Sequence, residues 1–330
     1  MTRALRFALS VSLWTPGIVS TDAGSAPRPA AVLAQPAQGG PAVEPISINN
    51  NRAFAATLVG KVLTVHLEAR VGEWHPEGDN DPGIVVKAFA VEGGPLQVPG
   101  PLIRVPEGTE VRASVRNRTD ERLVLHGFYT RPAHSSDART TVIVAPGDVQ
   151  EVPFNAGSAG TYFYWAGSSA DGQMVRENGR DSQLAGAFVI DPPGASVPDR
   201  VFVFTSWRDV RVVDGQEVTV SRFLINGKSW PDTERLTYDV GDTVHFRLVN
   251  AGISVHPMRL HGFYYNVDSR GNEAVDTIFP AGSSHLVNTE RLPTGQTFSL
   301  TWRPTRPGTG CFIVMTRCTS SERVISTADS

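Results

Sequence analysis

The chain says one thing twice. Gly108-Thr-Glu-Val-Arg-Ala-Ser-Val-Arg-Asn117 matches Gly241-Asp-Thr-Val-His-Phe-Arg-Leu-Val-Asn250 at a constant offset of 133 (241 − 108). Each copy then reaches the pentad Leu-His-Gly-Phe-Tyr, at Leu125 to Tyr129 and at Leu260 to Tyr264, an offset of 135 (260 − 125). Two insertions in so long an interval mean two homologous folding units, and any fold proposed for one half must also serve the other. The stretch Asp191-Pro-Pro-Gly194 is the natural boundary. We therefore expect domains at 46–194 and 195–330, preceded by a segment 1–45 that belongs to neither.

Within each unit lie short runs rich in Val, Phe, Tyr and Thr, such as LTVHLEARV, GTYFYWAG, RVFVFTSW and FSLTWRP, separated by Gly, Pro and Asp. No apolar period of 3.6 residues is sustained over three turns, and 31 Gly with 24 Pro supply the turns of an all-β chain. Two Greek-key β-sandwiches packed together are the expected architecture. The first residues place Arg3 and Arg6 before an apolar stretch from Phe7 to Trp14, then small residues at Ala23 to Ala26, the pattern of a signal peptide; Gly24 to Pro45 reads as a linker. A secreted or periplasmic protein is expected, with no run of the ~20 apolar residues of a membrane span. A net charge of -3 without clustered Lys and Arg argues against nucleic acid as a partner. Cys311 and Cys318 are the two cysteines, too few for a disulfide scaffold.

Several motifs resemble the multicopper oxidases, whose cupredoxin-like domains carry four histidine motifs. VPGPLIRVPEGTEVRASVRN, GTYFYW and LAGAFVIDPP look like the strands around that family's first two motifs, and HPMRLHG resembles its HPxHLHG closely. The resemblance spans roughly residues 85 to 310. It implies copper as cofactor. In the family, HPxHLHG gives its first histidine to a mononuclear type 1 copper and the other two to a three-copper cluster that reduces oxygen. Such motifs work because alternate residues of a strand point the same way, so that a His-x-His pair aims two neutral imidazoles at one metal cluster.

Here most of those positions are not histidine. The first motif reads Val124-Leu125-His126 and the second Trp165-Ala166-Gly167; in the third, His256 and His261 remain, but Arg259 stands between them. Arginine stays protonated and offers copper no lone pair. The candidate metal ligands are therefore His256, His261 and His126, and a three-copper cluster is not expected. His126 is expected to hydrogen-bond at the interface between the domains, with Tyr164 and Trp165 filling the space of the cluster. His66, His75, His134, His245 and His285 match no motif, and Asp137, Asp171, Glu177 and Asp181 read as solvated turns.

The fourth motif, HCHxxxH, should follow Pro307-Gly308, where the chain instead reads Thr309-Gly-Cys-Phe-Ile-Val-Met-Thr-Arg-Cys318. Displacing the reading frame of those codons by two nucleotides allows Trp-Leu-Phe-His-Cys-His-Asp-Ala-Val-His, which contains the motif. We read the tail from about Thr309 as a frameshift product, against divergence of an unneeded end; codons that do not give His, Cys and His in the second frame would refute this. The function that follows is a multicopper-oxidase-like protein with at most one type 1-like copper. It would pass electrons to or from a small-molecule or metal-ion substrate or an electron-transfer partner. A metal-free scaffold for interactions is the alternative, and copper storage through His256, His261 and the terminal sulfurs a third. The family resemblance also implies a homotrimer.

Overall fold

The computed structural model describes residues 4–10, 43–54, 57–78, 82–133, 141–168, 179–194, 198–213, 216–280, 282–283, 285–307 and 309–314, with the backbone alone at 4–10, 209–213, 217–218, 220 and 309–314. Among them there is no α-helix, only a short 3-10 turn at Gly179–Asp181. Each half contributes a five-stranded and a seven-stranded sheet. In the first half the smaller sheet runs Gly100–Pro106, Ala185–Asp191, Gly160–Gly167, Leu123–His126, Thr141–Val144. In the second it runs Arg235–Asp239, Ala4–Ser10, Thr309–Val314, His256–Leu260, Thr289–Leu292. The two orders correspond strand for strand, with one oddity. The slot of Ala185–Asp191 is taken in the second half by Ala4–Ser10, which runs parallel to Thr309–Val314, whereas Ala185–Asp191 runs antiparallel to Gly160–Gly167. The described part of the apolar stretch that resembles a leader, Phe7 to Ser10, thus pairs within a strand, and the first strand of the larger sheet starts at Glu44, inside the expected linker.

The repeated Asn shows why the duplication survives. Asn117 and Asn250 are both fully buried at the end of equivalent strands. Asn117 donates through Nδ2 to Glu121 O and Val144 O and accepts from Thr119 N; Asn250 donates to Ser254 O and Leu292 O and accepts from Gly252 N. Each amide satisfies the turn that follows its strand and ties it to the edge strand of the smaller sheet, at Val144 or Leu292, so neither can be replaced by an apolar residue without orphaning buried backbone.

The strand Gly160–Gly167 is buried along its whole length because both of its faces are covered. Tyr162, Tyr164 and Ala166 pack into the first half's own core, while Phe163 and Trp165 join Val201, Val203, Val249 and Ala251 of the second half. The halves are also clamped by ions. Arg104 and Arg247 both reach Asp199, at 2.6 Å each, and Arg104 also pairs with Asp191 at 2.6 Å. Burial pushes the Asp199 carboxyl up, but hydrogen bonds and charge from Arg104 and Arg247 outweigh it and hold it below the usual range.

Candidate metal centre

The strands Leu123–His126 and Gly160–Gly167 pair antiparallel, with Trp165 opposite His126 and Gly167 opposite Val124. Leu123 and Leu125 enter the first half's core, so Val124 and His126 face the other way, toward the second half. The four ligand positions of the first two motifs, 124, 126, 165 and 167, therefore share one face of two adjacent strands. The scaffold for ligands is intact and the ligands are not: Val124 and Gly167 have no donor atom for a metal, and the indole nitrogen of Trp165 is a hydrogen donor only.

Trp165 lies on His126 as a parallel stack, ring centroids 4.0 Å apart and planes 5° from parallel. Its Nε1 donates to Glu273 Oε2 at 2.6 Å, a bond from one half to the other. Burial raises the Glu273 carboxyl above its ordinary value, with the Trp165 bond and the charge of Arg131 pulling the other way. Beside them sits Arg131, 1% exposed, donating to Gly127 O at 2.7 Å, Tyr129 O at 3.1 Å and Glu273 O at 3.0 Å. Burial lowers His126 to about 4, so the ring is neutral at ordinary pH, and its Nε2 has no hydrogen-bond partner. Among the described residues that nitrogen makes no interface hydrogen bond, and Trp165 covers the ring by stacking on it.

The approach of these strands depends on Gly127, whose φ is +86° and whose hydrogen points at the Phe163 carbonyl, where a Cβ would come within 2.4 Å. Its counterpart Gly262 has φ +82° and makes the same turn after His261. The outcomes differ. His126 is covered by Trp165, whereas His261 is exposed.

In the strand His256–Leu260, His256, Met258 and Leu260 are buried toward the second half's core, while Arg259 is half-buried on the opposite face, the phase to which His261 belongs. The structure therefore does not bring His256 and His261 to one point. His256 is 1% exposed, between Phe204 and Phe223 at centroid distances of 5.7 and 5.5 Å, and neither ring nitrogen has a hydrogen-bond partner among the described residues. Burial lowers it to about 4. The hydroxyl of Tyr265 pins this strand by donating to Met258 O at 2.8 Å.

Copper, the cofactor the motifs imply, is served unequally by these residues. A neutral, buried imidazole with both nitrogens free fits a copper ligand, so His256 qualifies. Its companions would come from the neighbouring strand Thr309–Val314, which places 312 and 314 opposite Leu260 and Met258 and 313 opposite Arg259. Counting from Pro307-Gly308, the family's cysteine falls at 314, in phase with His256, and the histidine before it at 313, in phase with Arg259. Cys311 falls in the other phase from His256. Among the described residues no three His, Cys, Asp or Glu converge on a point. Met315, Cys318, His134, Asp137, Asp171 and Glu177 lie outside the described residues. Asp181 is not a solvated turn residue: it is 7% exposed and pairs at 2.7 Å with Lys87, itself fully buried, because the turn at Gly179–Asp181 packs against the strand Ile84–Val91 that carries Lys87.

Sequence comparison agrees with this geometry. A family profile described as multicopper oxidase matches residues 85–195, and a second of the same description matches 204–322. A probable nitrite reductase-hydroxylamine oxidoreductase fusion protein of Kuenenia stuttgartiensis is 30% identical over 243 residues, 67% of this chain and 27% of that protein. The chain thus spans about a quarter of that relative. The blue copper oxidase from Nitrosomonas europaea superposes with a TM-score of 0.56 at 22% identity, covering 74% of this chain and 76% of the other. A copper nitrite reductase from the same organism gives 0.53 at 16%, covering 79% and 96%. These likenesses are to cupredoxin-like folds, and with two profiles together spanning most of both halves, the chain belongs to the multicopper oxidase family.

Proposed function

We propose that this chain is a copper protein with room for at most one mononuclear copper, at His256, and that it works by single-electron exchange with a small substrate or an electron-transfer partner. One observation carries the reading: a fully buried imidazole with both nitrogens unpartnered. Leaving a buried polar group unpaired costs about 1–3 kcal/mol, and a coordinated ion is one of the few things that would offset it. A bound copper would supply one-electron chemistry. His256 would hold it, Phe204 and Phe223 would keep water from it, and Tyr265 would fix the strand that presents it. Oxygen reduction by a three-copper cluster is not part of this function, because the first half offers a Trp165–His126 stack where imidazoles would be needed.

That same stack favours the second reading, a metal-free scaffold, in which both halves have traded ligands for packing. The domain limits 46–194 and 195–330 and a secreted or periplasmic location remain part of the proposal. The limits are supported by the strand ending at Asp191 and the next starting at Asp199, and the location by Arg3 and Arg6 ahead of an apolar stretch.

Copper loading of purified protein separates the readings. We expect close to one copper per chain, lost in His256→Ala and kept in His126→Ala. Protein that takes up none selects the scaffold, and three or more per chain would overturn both accounts of the first half.

A further inference from the structure

The turn that follows His261 opens into a groove on the outer edge of the second half, about 320 Å³ in volume, whose lining includes Phe263, Tyr264, Leu286, Asn266, Arg303 and Thr305. Its chemistry is unusual for bare surface. Tyr264 and Leu286 are each 62% exposed, although large apolar and aromatic side chains gathered in one concave place commonly mark a binding surface. No Asp or Glu lines it.

The two arginines nearby have different employment. Arg306 is committed to the turn: it donates to Gly262 O at 2.9 Å and lies 5.3 Å over the Phe263 ring, which is itself packed on Trp302. Arg303, one residue beyond the strand Gln296–Trp302, is exposed and has no ion pair among the described residues. A guanidinium is a planar fork that matches a carboxylate, and an exposed aromatic ring offers a flat face for stacking.

We infer that this groove binds a small planar aromatic carboxylate, its ring between Tyr264 and Leu286 and its anion on Arg303, with Asn266 and Thr305 as further donors. Binding involves no covalent or redox step and is independent of copper, so its outcome says nothing for or against metal binding at His256. A ligand of this size on an open groove should bind in the range of about 1 mM.

The test is a titration of the full chain with benzoate, in the presence of a chelator, followed by saturation-transfer NMR and by intrinsic tryptophan fluorescence, since Trp302 lies beneath the Phe263 wall. Saturable benzoate binding is expected, at least tenfold tighter than that of benzyl alcohol. Arg303→Gln should abolish that tenfold preference while leaving benzyl alcohol unchanged, and Tyr264→Ala should weaken both. Both positions are exposed, so unchanged thermal midpoints will show that the variants are folded. The proposal fails if benzoate does not saturate by 20 mM (about twentyfold the expected Kd), or if Arg303→Gln binds it as well as the parent.

Discussion

Arg131→Met should lower the unfolding free energy by about 3–5 kcal/mol, a fall in thermal midpoint of roughly 10 °C, with the loss appearing as a loosening between the two halves. Among the described residues the guanidinium has no carboxylate within ion-pair distance, although the charge of Glu273 is felt there. It is solvated instead by backbone carbonyls of Gly127, Tyr129, Phe163 and Glu273 and by the rings of Tyr129, Tyr162 and Phe188 at 4.5 to 5.1 Å. Burial lowers it only to about 10, so it stays charged at neutral pH. A buried ion pair replaced as a whole can be neutral, but here one member would leave and the carbonyls would remain, unpaired and out of reach of water. Because Glu273 comes from the second half, the same change frees the loop that accepts the Trp165 bond. Urea unfolding by near-ultraviolet circular dichroism is the measurement, and a midpoint within error of the parent would mean that the carbonyls have found other donors.

That cluster marks the limit of what could be read from the residues alone. His126 and Trp165 were visible as occupants of known motif positions, and the pairing of Trp165 with His126 follows from two short strands whose alternation is written in LVLH and GTYFYW. Glu273 and Arg131 carry no such mark. Glu273 lies in a polar turn, RGNEAVD, that reads as solvent-exposed, and Arg131 follows a buried Phe-Tyr pair in what looks like a loop. Their roles arise only when the halves dock, 142 residues apart in the chain. Asp181 was misread for the same reason. An acid in a Gly-rich turn is usually wet, and nothing near it in sequence announces Lys87.

The second half was more legible. HPMRLHG alternates, so His256 had to face away from Arg259 and His261, and the structure places His256 in the core and His261 in the open. The repeat foretold two equivalent units, and the structure extends the likeness to the hydrogen bonds of Asn117 and Asn250. It could not foretell that Ala4–Ser10 would pair in the slot of a closing strand, because a short apolar run near a terminus reads equally as leader or strand. Where the tail departs from the family after Gly308, the register still shows which positions would serve copper.

Acid should unfold the metal-free protein well above the range where carboxylates titrate, and the two buried histidines are the cause. His126 and His256 are each lowered by burial from 6.5 to about 4. In the unfolded chain both take up a proton near pH 6.5, and in the folded chain neither does so until about pH 4. The unfolded state therefore binds more protons across that window, and stability falls as pH falls through it. It is fully present above about 6.5 and, for each ring, lower by about 3 kcal/mol at the bottom of the window. Glu273, Asp268 and Asp276 work against this, since burial raises them and their protonated forms gain in the folded state as pH drops. Glu68, Asp181 and Asp199 lose their contribution only below the ordinary carboxylate range, where burial is outweighed by bonds from arginine or lysine. The urea midpoint, measured with a chelator present, should therefore drop steeply between pH 6.5 and 4.5. In His256→Leu, which suits the Phe204 and Phe223 surroundings, the same descent should be shallower by about 1.4 kcal/mol per pH unit, the slope of one proton. An unchanged slope in that variant would mean that His256 is already protonated or already partnered in the folded chain, and would remove the ground for placing copper there.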